Sequence, residues 1–513
     1  MIERKIMIGM ITSTSFLQQI QPYYFPRLIE SSAFKRLASW CFKYFKDHNT
    51  APGKEIELML LTEAKRLEKD VAEEIEEILE GLSNEYENEN ENPYLVSQTI
   101  KYFKERQILE LTSTVEKLTS AGQLEEAEKL MNTYSPLIEG ESTEIIFDNP
   151  AYLPEIKKAF NQELNQVFTL PYQLGDFMND QLGYGKFIAF LAPEKRGKTF
   201  LLLYLAMQAC RQGKNVVFFQ AGDMNKIDQT QRIGIYLTKT SNQEKYCKEH
   251  YEPIRDCVHN QLGTCEELEK EITDAPFEEK TYEDIRGELI YEELVDAYEN
   301  YPKHIPCHNC TKYWQQKYGA VWLKKIPKTD PLSEEQYVRA INEFFIKKHH
   351  KLRLDTYSNG TLSVNKALAV LDKWEREDGF VPDLIIFDYA DLMVPSVKAE
   401  FRHQQNEIWK DLRRVSQTER QGIFPLVITA TQADAASYET NSLRMKNFSE
   451  DKRKYGHVTV LYGLNQDPQG KEKKIGIMRI NELVKREGSF HPNKEVYILQ
   501  NLRRGRAVIQ SYF

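Results

Sequence analysis

No apolar run in the 513-residue chain approaches the length of a bilayer span, so a membrane-spanning helix is not expected. Basic charge is not in excess. Lys and Arg number 68 against 77 Asp and Glu, giving a net charge of −9. Composition therefore does not advertise a nucleic-acid binder, although a basic channel can sit on an acidic body. The N-terminal stretch from Met1 to Leu17 holds a short apolar run but lacks a small-residue cleavage site, so it reads as the opening of a helix in a cytoplasmic protein. Strand-like alternation is almost missing between Phe25 and Leu137. Cysteine is sparse outside one stretch: five of seven (Cys247, Cys257, Cys265, Cys307, Cys310) crowd together, which in a cytosolic chain favours metal over disulfides.

What is present is an ordinary globular balance, 28% charged and 41% hydrophobic, in a chain long enough for two domains or more. Helical periodicity runs through Ala33 to Phe45, Glu55 to Leu82 and Leu95 to Leu118, while the polar run Ser83 to Asn92 reads as a connecting loop. We assign residues 1–145 to a helical N-terminal domain for assembly and docking, and 146–167 to a linker helix. From residue 168 to 513 the text changes. Short apolar runs at Phe187–Leu191, Val216–Phe219, Leu384–Phe387 and Leu426–Thr429 alternate with helical stretches, as buried parallel strands of an α/β sheet do. A long gap separates the second run from the third, and its centre, 240–328, is acidic, aromatic and cysteine-rich, like an insertion folded around its own metal.

The chemistry begins at Ala192-Pro193-Glu194-Lys195-Arg196-Gly197-Lys198-Thr199, between the first apolar run and a helical run opening at Phe200. A strand, a loop and a helix start in that order make a phosphate cradle. Backbone N–H groups from Glu194 to Phe200 face the anion, Lys198 reaches the β and γ oxygens, and the Thr199 hydroxyl ligates Mg²⁺. Ala192 stands where the usual pattern has its first glycine. Asp388 closes the apolar strand Leu384–Phe387, the position of a carboxylate that orients Mg²⁺. Asp223, just past the second strand, is the candidate base for water, with an arm shorter than glutamate. Gln432, past the fourth strand, is placed to report the γ-phosphate; a plain surface glutamine is the alternative.

Cys257, Cys265, Cys307 and Cys310 form a plausible four-thiolate structural zinc site, the last two in knuckle spacing. Cys247, His250, His259, His304 and His308 are possible substitutes, and reduced cysteines in a folded insert are the plainer reading. Lys398 and Arg402 follow the third strand; Arg444, Lys446, Lys452, Arg453 and Lys454 follow the fourth, as a phosphate-binding loop or as solvated surface.

Taken in order, these motifs resemble those of DnaB-type replicative helicases. Asp388-Tyr389-Ala390-Asp391-Leu392-Met393 looks like their magnesium-site motif, Phe219 to Met224 their acidic strand end, and Thr431-Gln432 their sensor. Leu502-Arg503-Arg504-Gly505 resembles the segment bearing their arginine finger, and Trp40 to Phe45 with Ala51-Pro52-Gly53 is most similar to bacteriophage members. The resemblance implies a RecA-like α/β core, ATP and Mg²⁺ as cofactors, single-stranded DNA as track and a homo-hexameric ring in a host-cell cytoplasm. It also implies a primase or helicase-loader partner, and Arg503 reaching a neighbour's site. Arg504 and Arg506 are alternatives for that role. Ala192, Asp223 and Asn501 depart from the family pattern. Two other readings stay open: a RecA-like recombinase or regulatory ring without unwinding, and a scaffold that binds ATP but barely hydrolyses it.

Overall fold

A computed structural model of the chain describes residues 2–29, 31–63, 69–80, 93–132, 166–222, 224–266, 274–310, 316–396, 401–447 and 452–513. The expected loop at 83–92 and almost all of the linker helix therefore fall outside the described residues. The chain divides into two compact units, Met1–Leu153 and Pro154–Phe513. No described helix is long and apolar enough to cross a membrane.

In the first unit the described residues form helices only: α1 (Ile2–Thr12), α2 (Thr14–Ile20), α3 (Ser32–His48), α4 (Glu55–Glu63), α5 (Lys69–Glu80), α6 (Pro93–Ser120) and α7 (Leu124–Asn132), with short 3₁₀ turns between α2 and α3. Their starts follow local chemistry. Ser13 and Ser31 accept the backbone N–H of Phe16 and Phe34, satisfying donors that a helix start leaves unpaired. Apolar residues at helical spacing, such as Leu37, Cys41 and Phe45 on α3, then meet Met7, Met10 and Phe103 in one core.

The second unit is built on a nine-stranded sheet in the order β11-β10-β9-β8-β1-β7-β6-β2-β5 among the described residues. The strands are β1 (Phe187–Ala192), β2 (Asn215–Gln220), β5 (Lys351–Thr356), β6 (Leu384–Asp388), β7 (Leu426–Gln432), β8 (Val460–Asn465), β9 (Ile477–Lys485), β10 (Glu495–Asn501) and β11 (Arg506–Tyr512). From β8 to β5 all neighbours are parallel; β9, β10 and β11 continue the sheet antiparallel. Alternate side chains of β1 leave on opposite faces, as strand geometry requires. Ile188 and Phe190 join one core with Leu201, Leu202 and Leu205 of the helix Lys198–Arg211. Phe187, Ala189 and Leu191 join the other with Leu371, Trp409 and Leu412. Helices on both faces bury the central strands completely, which is why the sequence there reads as unbroken apolar runs.

Within the stretch 240–328, β3 (His250–Cys257) and β4 (Gly319–Ile326) form a separate two-stranded antiparallel sheet, with Cys257 paired to Gly319 and His250 to Ile326 and helices between the two strands. It shares its apolar core with the main sheet: Trp322, Leu323 and Leu294 pack with Leu499, Ile475 and Tyr512. Gly319 is needed there, since a Cβ would stand 2.3 Å from the Tyr512 ring. Asn501 donates to Glu252 at 2.9 Å, Arg506 pairs with the same carboxylate, and Arg255 N–H donates to Gln510 at 2.8 Å.

A buried polar network completes the insertion. Asp256 accepts from Asn260, Gln261, the Cys307 N–H and His304 Nε2, while His304 Nδ1 faces the Asp274 carbonyl at 2.7 Å. Among the described residues no three His, Cys, Asp or Glu side chains are grouped to hold a metal ion. Among the described residues the insertion is held by the shared apolar core and the Asp256–His304 network. Cys257 is buried, and burial pushes its thiol up to about 11, with Cys307 adding to the rise. Cys265, Cys307 and Cys310 are partly exposed.

Candidate phosphate site

The C-terminal ends of the parallel strands converge on one edge of the sheet, where an open α/β sheet commonly binds ligands. Register puts Ala192 of β1 directly opposite Gln432 of β7, and Gln220 of β2 opposite Asp388 of β6. Beyond Ala192 the chain turns through Lys195 and Gly197, both at positive φ (60° and 83°), into the helix that starts at Lys198. Gly197 combines that conformation with a close approach: a Cβ would sit 3.0 Å from Leu502 Cδ1.

Lys198 Nζ donates to the carbonyls of Ala192 and Pro193, each at 3.0 Å, and so lies across the mouth of the loop. The Thr199 hydroxyl donates to Asp388 Oδ1 at 3.2 Å. A hydroxyl and a fully buried carboxylate this close form an oxygen-only pair that suits a hard divalent cation, so the donors fit Mg²⁺. Asp388 is held by its strand, its carbonyl accepting from Gln220 Nε2 at 3.0 Å and from Ala221 N–H at 2.8 Å.

Gln432 Nε2 donates to Glu194 Oε1 at 3.1 Å, tying the strand-end amide to the phosphate loop. On the same loop the Glu194 N–H donates to the Tyr438 hydroxyl at 3.1 Å. Gln432 is positioned by Asp391, a residue to which the motif alone assigns no role. The Asp391 carboxylate accepts the Gln432 N–H at 2.7 Å, the Thr431 hydroxyl at 2.8 Å and Lys454 Nζ at 3.0 Å. Its signal in the sequence is the second acid of Asp388-Tyr389-Ala390-Asp391, three residues beyond the strand end.

Lys454 corrects one expectation. The sequence places it among the nucleic-acid contacts, yet its side chain is 1% exposed and its ammonium is engaged with Asp391, so it anchors the loop from within. Arg444, Lys446 and Arg453 of the same loop are exposed, Arg453 bonding His403. Asp223 and Lys398, and the side chains of Arg402 and Lys452, lie outside the described residues.

Of the three C-terminal arginines, Arg504 donates Nε to the Lys239 carbonyl at 2.8 Å and is buried, and Arg506 pairs with Glu252. Arg503 lines a cavity of about 490 Å³ together with Lys195, Arg196 and Asn501, its guanidinium 4.8 Å from the centre of the Tyr246 ring. Arg196 bonds Gln466 at 3.3 Å, and burial lowers its pKa from the usual range, partly offset by Asp467 and Glu472. Phe200 lies under the guanidinium of Arg232 at 4.6 Å.

No protein-family model and no curated protein matches the sequence. Among solved structures the chain is similar to a DnaB-like replicative helicase, described with its interactions with primase, at 12% identity and a TM-score of 0.49 over 98% of each chain. It is also similar to a second solved structure, the ATPase domain of another helicase, at 14% identity and a TM-score of 0.43, over 69% of this chain and 96% of that one.

Proposed function

We propose that the chain is a Mg²⁺-dependent ATP hydrolase that drives movement along single-stranded DNA and unwinds duplex ahead of it, as a ring of six copies in the cytoplasm of a phage-infected host. The observation that carries the enzymatic part is the convergence of Lys198, Thr199, Asp388 and Gln432 on one sheet edge beside a helix N-terminus.

In this reading the loop N–H groups and the positive end of the helix dipole hold the phosphates. Lys198 exchanges the two loop carbonyls for phosphate oxygens. Thr199 and Asp388 hold Mg²⁺, which when bound neutralises charge building on the phosphates. Asp223, two residues beyond Ala221, accepts the proton of the attacking water. Gln432 leaves Glu194 for the γ-phosphate. Arg503 supplies a cation to transition-state charge at a neighbour's site in the ring; Arg504 and Arg506 are already engaged within the chain. Lys398, Arg402, Arg444, Lys446, Lys452 and Arg453 contact DNA phosphates without reading sequence. The helical first unit serves assembly and docking of a primase or loader.

Strand displacement tests the whole reading. The protein is expected to release the labelled strand of a forked duplex with ATP and Mg²⁺, and not without ATP. Hydrolysis stimulated by single-stranded DNA but without displacement would favour a translocating or regulatory ring instead.

Zinc on Cys257, Cys265, Cys307 and Cys310 belongs to the proposal on their spacing in the sequence. Metal analysis of purified protein is expected to find close to one zinc per chain; zinc-free, fully active protein removes it from the account.

A further inference from the structure

A triphosphate seated on the loop must send its nucleoside end somewhere, and the cavity bounded by Lys195 and Arg196 opens from that loop. Its other walls come from two distant parts of the chain. The turn after β10 brings Asn501 and Arg503, and the start of the insertion brings Tyr246.

Tyr246 is well fixed. It ends a 3₁₀ turn, Glu244–Tyr246, that is pinned by buried Cys247, whose N–H donates to Glu244 and whose thiol reaches the Ser241 carbonyl at 3.4 Å. The Cys247 carbonyl accepts from Thr329 N–H, three residues beyond the end of β4. The ring itself stays part-exposed, with the Arg503 guanidinium 4.8 Å from its centre. A nucleobase can take the place of that guanidinium on the tyrosine ring, which frees Arg503 for the neighbour's site.

We propose that the insertion completes the nucleotide site: the nucleoside end of the bound triphosphate occupies this cavity with its base stacked on Tyr246. This rests on the phosphate-loop reading above and adds the residue that recognises the base. It gives the insertion a task in substrate binding separate from any metal it holds.

The test uses the full chain and two ligands, ATP and inorganic tripolyphosphate, which shares the phosphates but has no base. With Tyr246→Ala the KM for ATP is expected to rise roughly tenfold or more, the scale of one lost base–aromatic stack, with the loss falling on KM rather than kcat. Inhibition by tripolyphosphate is expected to keep its wild-type strength, and Tyr246→Phe to restore the KM. A KM within twofold of wild type overturns the inference. So does equal weakening of ATP and tripolyphosphate, which would mean that the phosphate loop itself had been disturbed. A wild-type protein that binds neither ligand refutes the phosphate-loop reading instead, and this inference falls with it.

Discussion

Lys198→Ala is expected to lower ATP turnover by roughly 10²–10³-fold, the usual loss when one charged donor to transition-state oxygens is removed. The protein should nevertheless melt almost where the wild type does. Its bonds to the carbonyls of Ala192 and Pro193 are part-buried, and water can replace the ammonium there. Steady-state hydrolysis and a thermal melt, run side by side, check both halves. A variant that turned over within twofold of wild type would sink the assignment of this loop as the catalytic phosphate site.

The second large effect is on stability. Asp391→Ala should destabilise the second unit by about 3–5 kcal/mol, because it removes the carboxylate paired with Lys454, whose side chain is 1% exposed. The same change removes the acceptor of Gln432 N–H and of the Thr431 hydroxyl. Adding Lys454→Met should recover much of the loss, since an apolar replacement of a buried ion pair is often near neutral. Lys454 also lies over the Trp409 ring at 5.8 Å, a neighbour that suits methionine. Denaturant midpoints of the two single variants and the double variant give the coupling. Equal loss in the single and double variants would show that the carboxylate matters for its other bonds and not for the lysine.

The central sheet was legible in the sequence because parallel strands buried on two faces leave a plain mark. Phe187–Leu191 and Leu384–Phe387 are β1 and β6 almost residue for residue. The edge strand Lys351–Thr356 left no such mark: half-exposed, it mixes charge with leucine. The four C-terminal strands β8 to β11 were likewise not read as strands. Lys198 and Asp388 could be named because a strand end followed by a helix start fixes where such side chains go. Asp391, Lys454 and Tyr246 could not be given their places, since each depends on a neighbour remote in sequence. The polar centre of the insertion went unread for a related reason: it is Asp256 with His304, residues 48 apart. No pattern of spacing singles out such a pair.

The Tyr438 hydroxyl that accepts the Glu194 N–H carries a thermodynamic consequence. An anion taking that N–H exchanges one hydrogen bond for another, and in doing so it releases from the loop Tyr438 of the turn Ala435–Glu439, which leads into the segment bearing Arg444 and Lys446. Linkage makes the exchange reciprocal. Whatever draws that segment away from the loop strengthens anion binding by the same factor by which the anion loosens the segment. The affinity of the loop for phosphate is then partly a property of what holds Tyr438.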